Sequence, residues 1–98
     1  MSGDSGKPRP AVVIQTDRVT ITDTILICGI SSDLQDFSSI RINLPANAET
    51  GLERPSQIMV EKIFAAMKVK CKKHIGRIDD GAQAKLNEAL FNITGIPD

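Results

Sequence analysis

Apolar positions in this chain fall into short blocks over its first two thirds and into a helical stripe near its end. Val12-Val13-Ile14 and Ile25-Leu26-Ile27-Cys28 are near-continuous apolar runs. Both are too short for helices, so they predict strands at about residues 10–16 and within 19–30. The first reads as buried on both faces, being β-branched throughout. Gly29 ends the second, and Ile30-Ser31-Ser32-Asp33 follows as a polar loop. Residues 39–44 alternate cleanly, with Ile40, Ile42 and Leu44 on one face and Arg41 and Asn43 on the other, as in a half-buried antiparallel strand.

A turn-rich stretch, 45–55, leads into a fourth strand at about 56–63 with Ile58 and Val60 inward and Glu61 at its end. Residues 64–73 stay open between helix, turn and edge strand: Ala65, Ala66 and Met67 favour helix, whereas Val69 does not. A short strand is predicted at 74–78. The last element is a helix of about four turns. Asp79-Asp80 offers an N-cap, and Asp80 with Gln83 has capping-box spacing. Leu86, Ala89, Leu90 and Ile93 form its apolar stripe, and Gly95 and Pro97 stop it. The expected architecture is mainly β (α+β): a small barrel or curled sheet of antiparallel strands with a C-terminal helix.

Composition narrows the class without naming a function. At 98 residues the chain makes one domain, 1–98, with a disordered start expected at 1–5. Hydrophobic residues at 41% and charged ones at 24% are ordinary for a soluble chain. No apolar run reaches the length of a membrane span, and no signal segment opens the sequence, so no membrane role is expected. Cys28 and Cys71 lie far apart without metal-type spacing, which fits an intracellular, reduced, cytoplasmic protein with no metal site and no cofactor.

Twelve basic and twelve acidic residues cancel. Lys62, Lys68, Lys70, Lys72, Lys73 and Arg77 nonetheless cluster with no acid between them. That run reads either as a solvated face or as a lining for a phosphate backbone. The three aromatics, Phe37, Phe64 and Phe91, make a poor base-stacking platform; Phe91 belongs to the helix and Phe64 is assigned to the core.

The stretch richest in chemistry is Gly6-Lys7-Pro8-Arg9-Pro10-Ala11-Val12-Val13-Ile14-Gln15-Thr16-Asp17. Two prolines bracket Arg9 and restrict its backbone immediately before a strand. Two readings of Arg9 are open: a surface residue beside a proline turn, or a stiffly held guanidinium for a phosphate or carboxylate.

This stretch resembles the second-strand signature of the MazF/PemK toxins, ribonucleases of toxin–antitoxin pairs. The resemblance continues in order through Cys28-Gly29-Ile30-Ser31-Ser32, where the family has a Pro-Leu-Thr-Ser-like turn, and through Ile40-Arg41-Ile42. It extends to Gly51-Leu52-Glu53-Arg54-Pro55-Ser56 with Glu61-Lys62-Ile63, and to Ile75-Gly76-Arg77-Ile78 before the helix. It covers about residues 6–96. The family usually opens with an additional strand ahead of the Arg9 loop. Relative to that pattern this chain starts inside the loop, which implies an unpaired ladder and improved solubility for a form lengthened by roughly ten residues. Ser31 stands where threonine is common; the hydroxyl is kept.

The resemblance implies metal-independent, sequence-selective cleavage of single-stranded RNA by attack of a 2′-hydroxyl on the adjacent phosphate. It makes Arg9 the donor to the developing phosphorane and Ser31 a hydroxyl that orients the phosphate, with Glu61 a candidate for proton transfer or base reading. Lys7, Ser32, Arg54, Lys70, Lys72 and Lys73 become candidates for holding RNA. Glu61 is equally readable as a strand-end charge paired with a lysine, and Ser31 as a turn-forming serine. His74, the only histidine, is read as a strand residue in the basic patch. The family acts as a homodimer neutralised by an antitoxin whose acidic, disordered tail covers the RNA groove. The alternative on the same fold is a catalytically silent module that binds an antitoxin or, as CcdB does, gyrase. Target sequence is not legible in the chain.

Overall fold

The apolar blocks pair as antiparallel strands, and the pairing decides which of their residues face the helix. In a computed structural model describing residues 9–96, the elements are β1 (Ala11–Val13), β2 (Thr24–Ser31), β3 (Arg41–Leu44), β4 (Ser56–Met67), a 3-10 turn (Lys68–Lys70) and α1 (Asp80–Thr94). The four strands form one open, curled sheet in the order β1-β2-β4-β3, antiparallel throughout. Long β4 is the spine: it pairs with β2 at both its ends and with β3 over its first third.

One face of the sheet carries Cys28, Ile42, Leu44, Ile58 and Val60, all buried, against Leu86 and Ala89 of α1. Val12, Ile14 and Ile30 pack around them. The row Ile30–Ile58–Ile42 crosses three strands in register, so a single layer of isoleucine sits under the helix. The helix is fixed at both ends. Asp79 is the N-cap, its side chain accepting from Ala82 N, and Gly95 closes the C-terminus with φ 73°. The Asp80–Gln83 box does not form, because Asp80 is already the first helical residue; Gln83 instead donates to Asn87 one turn on.

Several strand bounds differ from those expected. β1 is shorter and lies at the sheet edge with Ala11 and Val13 exposed, so it is not buried on both faces; only Val12 between them packs toward the core. β2 runs through Gly29 to Ser31 instead of stopping. A bulge between Cys28 and Ile30 takes up the change in register, and a side chain at Gly29 would meet the Met59 Cε at 2.9 Å. β4 continues to Met67 because 64–67 pair with 24–27, a partner that outweighs the helix preference of alanine and methionine. Phe64 consequently lies opposite Ile27 and is 44% exposed, outside the core.

The strand expected at 74–78 is not formed among the described residues. The segment packs instead on the β3–β4 connection, with Arg77 N donating to Glu49 O (2.8 Å). His74 is exposed there. Gly76 makes this docking possible: a Cβ on it would lie 2.3 Å from Thr50 O and 2.4 Å from Glu49 O, both backbone atoms. Gly76→Ala is therefore expected to cost about 2 kcal/mol and lower Tm by roughly 10 °C. An unchanged thermal melt would contradict the close approach.

Candidate functional site: a polar row across the sheet

Next to the isoleucine row, one residue along each strand, runs a polar one. Ser31 of β2 lies across from Gln57 of β4, and Gln57 lies across from Asn43 of β3. Because side chains alternate along strands, this row is on the face turned away from α1. The β1–β2 ladder extends to Pro10, whose carbonyl accepts from Ile30 N (3.1 Å). Counting on from Ala11↔Gly29 in that register sets Arg9 opposite Ser31, and directly opposite residues carry their side chains on one face. The register thus sets Arg9 and Ser31 toward the same corner of the sheet, and Arg9 is exposed there.

Ser31 is a strand residue here, not part of the loop expected from the sequence. Its Oγ accepts from Asp33 N (3.0 Å), which fixes the side chain, and among the described residues the hydroxyl proton has no acceptor. A guanidinium and a hydroxyl on one face can act as convergent donors for one phosphate.

Glu61 is engaged elsewhere. Its carboxylate takes Arg41 Nε (3.1 and 2.9 Å) and Nη2, a charge-assisted pair in which the Arg41 side chain is 7% exposed. The hydrogen bonds from Arg41 hold the Glu61 carboxyl below its ordinary range, against a smaller opposing effect of burial. The same pairing raises Arg41 further above its ordinary value. The partner is thus an arginine on β3 and not a lysine.

A carboxyl whose folded-state pKa is depressed contributes stability above the unfolded value of about 4.3, and that contribution is lost as pH falls through the folded-state pKa. Thermal melts taken from neutral pH into acid should therefore show progressive loss of stability that Glu61→Gln reduces. An acid slope identical in the two proteins would contradict the pairing.

The other expected RNA contacts divide by position. Ser32 and Arg54 are exposed, and both lie toward the Ser31 end of the sheet: Ser32 follows Ser31, and Arg54 precedes Ser56, the neighbour of Gln57. Lys70 belongs to the 3-10 turn after Met67, which pairs with Thr24. From Thr24 to Ser31 is seven residues of strand, about 23 Å at roughly 3.3 Å per residue, so Lys70 sits at the far end of the ladder. Lys72 and Lys73 are exposed on the segment returning from there. Lys7 lies outside the described residues.

Arg41, Asn43 and Gln57 were missed as a group. Arg41 and Asn43 were visible as the polar face of an alternating strand, but only the cross-strand register reveals that Gln57 joins them.

Fold and corner together define a small curled-sheet protein with a polar row across the sheet face turned from α1. A family model matches residues 2–94, and the chain belongs to the PemK-like, MazF-like toxins of type II toxin–antitoxin systems. A toxin of such a pair has an antitoxin as its partner. The chain is 27% identical over 92 residues to a probable endoribonuclease MazF of Mycolicibacterium smegmatis (strain ATCC 700084 / mc(2)155), covering 94% of this chain and 84% of that one. Its fold matches the Mycobacterium tuberculosis toxin MazF-mt6 with a TM-score of 0.81 at 16% identity, over 92% of this chain and 89% of the other. A crystal structure of an Mtb toxin matches with a TM-score of 0.75 at 18% identity, over 86% and 90%. Among the described residues no helix is long and apolar enough to cross a membrane.

Proposed function

We propose that this toxin is a sequence-selective endoribonuclease acting on single-stranded RNA at the Arg9–Ser31 corner without a metal ion. The observation that supports the reading is the β1–β2 register, whose continuation by two residues sets Arg9 across from Ser31. The family and the name of the Mycolicibacterium relative support the activity.

The 2′-oxygen attacks the adjacent phosphorus, the bond from phosphorus to the 5′-oxygen breaks, and a 2′,3′-cyclic phosphate and a 5′-hydroxyl remain. Arg9 offsets the negative charge that builds on the phosphorane, and Ser31 donates to a non-bridging oxygen. A guanidinium holds its proton too tightly to be a good acid or base, and Glu61 is bound by Arg41. Water at this open corner therefore accepts the 2′-proton and protonates the departing oxygen. Arg54 and Ser32 bind flanking phosphates, with Lys7, Lys70, Lys72 and Lys73 extending the track. The working form is a homodimer in the cytoplasm, and an acidic antitoxin tail competes for the same basic surface.

The test is incubation with single-stranded RNA in EDTA, followed by analysis of the new ends. Cyclic phosphate and 5′-hydroxyl ends are expected, and a single 2′-deoxy substitution at the cut site should block cleavage there. Cleavage of the deoxy-substituted strand would overturn the chemistry. Absence of cleavage would favour a silent binding module.

A further inference from the structure

Gln57 is 6% exposed, and all four hydrogen-bonding positions of its amide are filled. Oε1 accepts from Gln35 N (2.9 Å) and Arg41 Nη1 (3.1 Å); Nε2 donates to Gln35 O (3.0 Å) and Asn43 Oδ1 (2.9 Å). Arg41 can only donate, so it fixes which end of the amide is oxygen. The two bonds to Gln35 copy the reciprocal N–H and C=O exchange between neighbouring strands. One side chain thereby docks the middle of the 32–40 loop onto the sheet.

The loop is also held at its ends. It leaves directly from Ser31, whose Oγ takes Asp33 N, and at its other end Arg41 lies over the Phe37 ring at 5.4 Å and donates its backbone N–H to Phe37 O. Glu61 anchors Arg41 in turn. The relay Glu61–Arg41–Gln57–Gln35 thus ends on the loop beside the residue that Gln57 faces across the ladder, Ser31. The loop's exposed Asp33, Gln35 and Asp36 carry acceptors and an amide suited to base edges.

We propose that Gln57 is a positioning residue that sets the 32–40 loop against the Arg9–Ser31 corner and so determines which bases beside the scissile phosphate are accepted. This rests on the ribonuclease reading above. Gln57 touches no reacting atom; it acts through Gln35.

The test compares the wild-type chain with Gln57→Met, which keeps length but no hydrogen bonds, and Gln57→Glu, which keeps the acceptors and loses the donors. Each is assayed on a random-sequence RNA pool, on a dinucleotide containing only the scissile phosphate, and by amide exchange at Gln35. For Gln57→Met, discrimination between the preferred and next-best flanking base should fall about tenfold, the worth of one hydrogen bond. The KM for oligonucleotides should rise and Gln35 exchange should accelerate, while dinucleotide turnover stays within about twofold. Gln57→Glu should fall between, and it carries the test if Gln57→Met does not fold.

Unchanged discrimination with faster Gln35 exchange would overturn the proposal, as would equal loss on pool and dinucleotide, which marks a purely structural role. Wild-type protein inactive on both substrates would instead remove the ribonuclease reading, and this proposal with it.

Discussion

Arg9→Ala should lower the rate of single-stranded RNA cleavage by about 10²–10³-fold, the usual cost of removing one donor aimed at developing negative charge. Arg9 is exposed just beyond β1, so its truncation opens no cavity. Tm should therefore stay within about 3 °C of wild type, as for other surface changes. Loss of rate at constant stability separates a chemical role from a structural one. Arg9→Lys should recover only part of the rate, because a point charge cannot place two N–H groups on one phosphate as the planar fork does. Full activity in Arg9→Ala, measured on a single-cut oligonucleotide, would remove Arg9 from the mechanism.

Ile58→Ala should produce the largest loss of stability. Ile58 is fully buried, pairs with Ile30 on one side and Ile42 on the other, and belongs to the cluster that includes Leu86 of the helix. Its truncation removes apolar contact with both neighbouring strands and leaves a cavity that a three-strand row cannot close. The expected cost is about 3–4 kcal/mol, a large share of the roughly 5–15 kcal/mol that holds a domain folded. Tm should fall by about 15–25 °C on thermal denaturation. Well below its transition the variant should keep most of its cleavage rate, since Arg9 and Ser31 are untouched. A shift of only a few degrees would mean that the isoleucine layer is not the centre of the core.

What the sequence made legible follows from which interactions are local. The helix could be read nearly whole because its period, its Asp79 cap and its Gly95 stop all lie within one stretch of chain. Strand cores could be read for the same reason, from Ile25-Leu26-Ile27-Cys28 and from the alternation around Ile42. Strand ends could not. β4 outruns its apolar core because Thr24–Ile27 waits across the ladder for residues 64–67, and nothing near Ala65 in sequence announces that partner. Gly29 looked like a stop and is instead the point where a bulge fits against Met59. Residues 74–78 have strand-like residues but lie against a connection, not beside a strand edge.

The candidate site divides along the same line. Arg9 and Ser31 stood out as short motifs, and their likeness to a known family supplied the roles. The Glu61–Arg41–Gln57 relay was invisible because it joins two strands and a loop through side chains 16 to 22 positions apart. Glu61 drew notice through the family resemblance, and its arginine partner on β3 lay beyond what the sequence could show.

The most direct measurement is a double-mutant cycle between Arg9 and Ser31, read as cleavage rate on one oligonucleotide with a single scissile bond. Arg9→Ala, Ser31→Ala and the double variant are compared with wild type. Two donors serving the same phosphate should couple, so that the double variant is slower than Arg9→Ala alone by much less than the factor Ser31→Ala costs in wild type. Rate losses that simply multiply would show the two side chains acting independently, and the shared-phosphate corner would be wrong.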